Sequence, residues 1–131
     1  MIELSVNTHA RVEFVDITAQ LARVISEHNF RTGVCVVYVP HTTAAVTINE
    51  NADPMVVTDI TAALDKLVPR NWQYRHSEGN SDAHIKSSLV GSSLYLIVES
   101  QKLQLGTWQG VYFCEFDGPR NRRCFVKLLA G

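Results

Sequence analysis

Apolar and polar positions alternate along residues 2–8 (IELSVNT) and again along 11–15 (RVEFV), the period of a half-buried strand. The period then lengthens. Ile17, Leu21, Val24, Ile25 and His28 recur at helical spacing, with Asp16 or Thr18 placed to accept the free N–H groups at the helix start. Asn29 to Gly33 punctuate its end. Residues 34–39 (VCVVYV) are apolar throughout, which predicts a central strand covered on both faces, and Pro40 closes it. Residues 44–48 (AAVTI) read as another strand. Asp53-Pro54 has the form of an N-cap followed by proline at the first helical position. Val56, Val57, Ile60, Leu64 and Leu67 then trace one face of a second helix, ended by Pro69.

From Asn71 to Ala83 the chain is polar and without period; a short helix follows around 82–90, stopped by Gly91. SLYLIVES, LQLG, GVYFCEF and CFVKLLA read as strands joined by tight turns. The order does not alternate strand with helix, so a doubly wound nucleotide fold is disfavoured. The pattern predicts one α+β domain over 1–131, sheet packed on sheet, with two to three flanking helices.

Composition narrows the class. The 131 residues are 46% hydrophobic and 19% charged, which excludes a disordered or low-complexity chain and allows a core without disulfide staples. A net charge of −1 supplies no bulk attraction to nucleic acid or anionic membrane, so neither is expected as a partner. No apolar run approaches the roughly 20 residues that span a bilayer. Charges come too early in MIELSVNTHARVEF for a secretory signal. Cys35, Cys114 and Cys124 are odd in number, lack CxxC spacing and sit among apolar neighbours. They read as buried reduced thiols, and a cytoplasmic location is expected.

Polar residues gather in three segments: 40–54 (PHTTAAVTINENADP), 74–88 (YRHSEGNSDAHIKSS) and 105–123 (LGTWQGVYFCEFDGPRNRR). His41, His76 and His84 lie beside turns in carboxylate-rich settings. They are either solvated loop histidines or three ligands of a divalent ion with an open position. Glu50 sits too early to cap the helix at Asp53, and a carboxylate there can orient an imidazole or accept a proton. Glu115 interrupts an apolar strand; it is either half of an ion pair with Arg120, Arg122 or Arg123, or a functional acid. Arg122 alternates with apolar residues as the wet side of a strand would. The arginines, with Lys86 and Arg75, could also cradle phosphate if brought together. Trp108-Gln109, between Gly106 and Gly110, presents an aromatic and an amide, a stacking platform or a buried anchor. There is no P-loop, GxGxxG, HExxH or GxSxG.

HTTAAVTINENADP, GNSDAHIKSSLVG and LGTWQGVYFCEFDGPRNRR, in this order and spacing, resemble the YjbQ-like family, often labelled secondary thiamine-phosphate synthase. The resemblance runs from about Val12 to Lys127. It implies a small β-sandwich-like α+β domain that assembles as a homotrimer, and a polar pocket holding a divalent metal, zinc or magnesium. The implied activity joins hydroxymethylpyrimidine pyrophosphate to thiazole phosphate and releases pyrophosphate. On this reading Glu50, Glu115 and His41 are catalytic, and His41, His76 and His84 hold the metal. Thr42, Asn49, Asp53, Asn80, Lys86, Thr107, Trp108 and Gln109 then contact the small-molecule substrate. A metal-dependent hydrolase or lyase, or a non-catalytic metabolite-binding trimer, is the alternative.

Overall fold

The computed structural model describes residues 1–131. The elements run β1 (Ile2–Asn7), β2 (Glu13–Asp16), α1 (Thr18–Glu27), β3 (Gly33–Tyr38), β4 (Ala44–Glu50) and α2 (Pro54–Leu67). Then come α3 (Ser81–Val90), β5 (Ser93–Glu99), β6 (Lys102–Leu103), β7 (Gln109–Glu115) and β8 (Asn121–Ala130). All pairings are antiparallel. They form a five-stranded sheet, β1-β8-β3-β5-β6, and a three-stranded sheet, β2-β7-β4.

The main core joins inward residues of both sheets: Val6, Cys35, Val37, Cys124 and Val126 from the larger, Val46, Val111 and Phe113 from the smaller. Leu21, Val24 and Ile25 of α1 complete it. The other face of the small sheet carries Ala45, Tyr112 and Cys114, covered by Ala83 and Val90 of α3 and by Val57 and Leu64 of α2. β7 therefore lies between two apolar layers, which explains its unbroken apolar run. The predicted α+β class and stacked sheets are what the chain adopts.

Local chemistry sets the helix starts. Asp16 Oδ1 accepts from the Thr18 N–H at 2.9 Å and from its hydroxyl at 2.6 Å. Asp53 Oδ1 accepts from the Met55 N–H at 2.9 Å, and Pro54 occupies the first helical position.

Three expectations are corrected. β3 is central, flanked by β8 and β5, but only one of its faces is covered. Cys35 and Val37 are buried, whereas Tyr38, Tyr95, Ile97 and Leu129 share an outer face and are 47, 78, 59 and 48% exposed. The apolar run records two apolar faces, but a single chain supplies a layer for only one. In α2 no residue is fully buried and Leu67 is 75% exposed, because the helix is the outermost layer. β4 continues through Asn49 and Glu50, whose polar side chains end the apolar pattern while their backbones still pair with Gly110 and Gln109. No helix is long and apolar enough to cross a membrane.

Candidate functional site

Pro40 ends β3, and His41, Thr42 and Thr43 then turn the chain into β4. On α3, His84, Ser87 and Ser88 face this turn across a cavity of about 480 Å³ that Ser92 also lines. A second cavity of about 590 Å³ shares His41, Thr42 and Ser92 and adds Tyr38, Arg120 and Arg122. Together they form one polar cleft. Ser87 Oγ is buried on its wall without a hydrogen-bond partner. A buried hydroxyl left unpaired costs about 1–3 kcal/mol.

His41 is held by the backbone of β8. Its Nε2 accepts from the Arg123 N–H at 3.0 Å, so the ring proton belongs on Nδ1. Burial first, then the positive charges of Arg122 and Arg123, keep its pKa below the usual histidine value. The imidazole is therefore neutral near pH 7, with a donor free at Nδ1.

Beneath the cleft lies the ion pair that the sequence left open. Glu115 faces the inter-sheet core in phase with Val111 and Phe113, and is fully buried. Arg122 donates from Nε to Glu115 Oε1 at 2.8 Å and from Nη2 to Oε2. The same Nη2 donates to Thr43 Oγ1 at 2.8 Å. Thr8 Oγ1, 2.8 Å from Oε1, and the Asp117 N–H, 3.1 Å from Oε2, complete the carboxylate's shell. Burial pushes the Glu115 carboxyl up, but hydrogen bonds from Arg122, Thr8 and Asp117, with the Arg122 charge, more than offset it and hold it below its ordinary value. One sequence reading changes here and another is resolved. Arg122 is on the inner face of β8, in phase with Cys124 and Val126, not on its wet side. Glu115, read as either half of an ion pair or a functional acid, forms the ion pair, with both oxygens engaged and the side chain sealed from solvent.

The three histidines do not assemble as a ligand set. His41 and His84 line one cavity, His76 and His84 another, and no three His, Cys, Asp or Glu side chains of the chain meet in a metal-holding group. His76 and His84 do stand as a pair, ring centres 5.3 Å apart and edge to face. Two imidazoles bound at about 2.0–2.1 Å to one tetrahedral zinc have ring centres about 5 Å apart. The ring separation is of that size, and no third protein donor joins the pair within the chain.

Residues expected to contact substrate divide by position. Thr42 lines the cleft. Nearby, Asn80 donates from Nδ2 to Asp117 Oδ2 at 2.8 Å and leaves Oδ1 buried and unpaired. Lys86 is 1% exposed and pairs with Asp65 and Asp82, while Arg11 grips Asp82 at 3.1 and 3.3 Å. Its ammonium ties α2 to α3 and does not reach the cleft.

The remainder lie at the far end of the small sheet. Asn49 accepts from the Glu50 N–H at 2.7 Å, Asp53 caps α2, and Gln109 Oε1 accepts from the Gly106 N–H at 2.8 Å. Thr107 and Trp108 project from that turn, Trp108 63% exposed. Glu50 pairs with Gln109 and Ala44 with Glu115, so six strand steps, about 20 Å, separate the two ends. Glu50 therefore cannot orient His41 of its own chain. Thr43, Ser87 and Ser88 lie in the polar segments that the sequence singled out but received no role there, and Ser92 lies outside those segments. The phase of Arg122 with Cys124 was the available signal for the buried arginine.

A domain of two stacked antiparallel sheets, helices over the smaller, with a polar cleft at one sheet end, is the class defined so far. The family model described as UPF0047 protein YjbQ-like matches residues 2–131. A UPF0047 protein of Methanocaldococcus jannaschii is 54% identical over 98% of this chain and 94% of its own. The UPF0047 protein YugU of Bacillus subtilis is 49% identical over 96% of each. A crystal structure of a YjbQ/UPF0047 protein from Clostridium acetobutylicum superposes with a TM-score of 0.96 at 53% identity, covering 98% of this chain and 100% of that one. The chain belongs to the YjbQ/UPF0047 family.

Proposed function

We propose that the chain is a small-molecule transferase that forms thiamine phosphate from hydroxymethylpyrimidine pyrophosphate and thiazole phosphate. The bond from the pyrimidine methylene carbon to the pyrophosphate oxygen breaks, a bond from that carbon to the thiazole nitrogen forms, and pyrophosphate leaves. The observation that carries this reading is the polar cleft around His41. It offers a neutral imidazole with a free N–H, serine and threonine hydroxyls, and arginine, which are donors for a leaving anion and not a strong base. Mixing the protein with both substrates should yield thiamine phosphate and pyrophosphate in equal amounts, and His41→Ala should abolish both at an unchanged melting temperature. Pyrophosphate without thiamine phosphate would make the protein a hydrolase. Stabilisation by substrate without turnover would make it a binding protein.

The working unit in this proposal is a homotrimer. Its support is the uncovered apolar face of the five-stranded sheet, together with the 20 Å (about) between the two groups of motif residues, too far for one small-molecule site. A neighbouring copy that brings its Glu50–Trp108 end to this chain's His41 end would complete the site. A divalent ion is a further part of the proposal. His76 and His84 would supply imidazole donors, which suit zinc better than magnesium, with the third donor from another copy. When bound, such an ion would act as a Lewis acid on phosphate oxygens. A cytoplasmic site of action is supported by Cys35, Cys114 and Cys124, all free and buried. Burial pushes the Cys35 thiol up to about 11 and, with Cys35 as its neighbour, Cys124 up to about 12, so both stay protonated.

A further inference from the structure

Arg122 is 3% exposed yet lines the cleft. Its Nε and Nη2 are spent on Glu115 and Thr43, and Nη1 alone has no protein acceptor. Nη1 is not among the buried unpaired atoms, so it is the part of the side chain that opens on the cleft. The guanidinium cannot swing, because Glu115 grips its other edge with two bonds from below. Arg120 is fixed through the same carboxylate. Its N–H donates to Thr8 Oγ1 at 3.0 Å, and Thr8 lies on Glu115 at 2.8 Å. The Arg120 side chain is steadied by Asp117, through Nε to the carbonyl at 2.9 Å and Nη2 to Oδ2 at 3.1 Å. His41 adds its Nδ1–H, and Thr42 and Ser92 add hydroxyls. No acidic side chain lines this end of the cleft.

We propose that this end of the cleft is a built phosphoryl-binding subsite, with Arg122 Nη1, Arg120 and His41 as donors to the phosphate oxygens and Glu115 as the positioning residue beneath them. A carboxylate offers two oxygens in one plane; two guanidiniums, an imidazole and hydroxyls converging from different elements match the three oxygens of a tetrahedral phosphate monoester. The cavity of about 590 Å³ leaves room for the organic part of a small phosphorylated molecule. Because Glu115 already balances Arg122, recognition rests on directed hydrogen bonds more than on net charge. The inference rests on the cleft being a ligand site, as in the proposed function, but it concerns binding and is tested without turnover.

The experiment is calorimetric titration of the full chain with inorganic phosphate, with acetate and chloride as controls at matched ionic strength. Saturable binding of one phosphate per chain is expected, which neither control reproduces. Arg120→Ala, at an exposed side chain whose loss leaves the fold intact, should weaken it by roughly tenfold, the worth of one charge-assisted hydrogen bond. Arg122→Lys keeps the charge but loses the fork, and should weaken it at least as much. Arg23→Ala, on the exposed face of α1, should bind as the natural chain does. Phosphate binding no tighter than acetate, or unchanged in both Arg120→Ala and Arg122→Lys, would overturn the subsite. A chain that forms thiamine phosphate but shows unchanged phosphate affinity in both variants loses this inference alone. One that binds phosphate through both arginines without forming thiamine phosphate loses only the proposed reaction.

Discussion

At Glu115, desolvation and pairing act on one carboxyl in opposite directions, and pairing wins. The native state therefore prefers the ionised form, and the unfolded chain binds the proton more readily. Its contribution to stability is present above the ordinary pKa of 4.5 and is lost as pH falls through the lower native value. Glu115→Gln keeps the shape but leaves Arg122 buried without a counter-charge, which should cost about 3–5 kcal/mol at pH 7. Urea unfolding from pH 7 to pH 3 checks both points. The variant should start lower and lose less on acidification, with a residual decline from Asp82, whose burial is outweighed by Arg11 and Lys86 so that its carboxyl also lies low. Equal midpoints at pH 7 would mean that the pair adds nothing. The need of Glu115 for a partner was legible in VYFCEF. Which arginine answered it was not, because that depends on β8 facing β7 across the core.

At the scale of elements, β3 begins where β8 passes too close for a side chain. Gly33 has φ +144°, and a Cβ there would stand 2.0 Å from the Leu129 carbonyl oxygen and 2.7 Å from the Phe30 ring. The first obstacle is firm, being backbone of the neighbouring strand β8, and the Ala130 Cα at 3.0 Å adds to it. Gly33→Ala should therefore cost on the order of 3 kcal/mol or more, by strain at positive φ plus displacement of β8. Thermal unfolding measures this, and a shift under a degree would show that the strand edge yields freely. Gly33 was legible only as the end of a helix. The sequence did locate the helices closely, since period, Asp53 and Pro54 act within a turn or two of the chain. It misjudged strand faces, since a second apolar face reads alike whether a helix, a sheet or another copy covers it.

For the whole molecule, the separation of the two motif clusters makes a sharp prediction. His41→Ala and Glu50→Gln chains, each inactive as a homotrimer in the proposed arrangement, should recover about a quarter of natural activity when unfolded and refolded together one to one. At a shared site between neighbouring copies, random assembly places the two intact halves together in about one interface of four. Full activity of Glu50→Gln alone would take Glu50 out of the site, and no recovery in the mixture would show that the two ends do not meet between copies. The separation itself follows from β4 and β7, a rigid antiparallel pair that carries Ala44 and Glu115 at one end, Glu50 and Gln109 at the other.

What the sequence determined by itself is what depends on near neighbours: the periods of strands and helices, the cap at Asp53, the α+β class, and the three polar segments that mark the family. Those signals are local, because backbone hydrogen bonding and side-chain alternation repeat within a few residues. Only the tertiary structure decided which polar residues meet. It sank Lys86 between Asp65 and Asp82, turned Arg122 inward onto Glu115, and joined Ser87 and Ser92 to His41 in one cleft. Each of these contacts is set by how layers stack and which strand ends coincide, and distance along the chain carries no information about either.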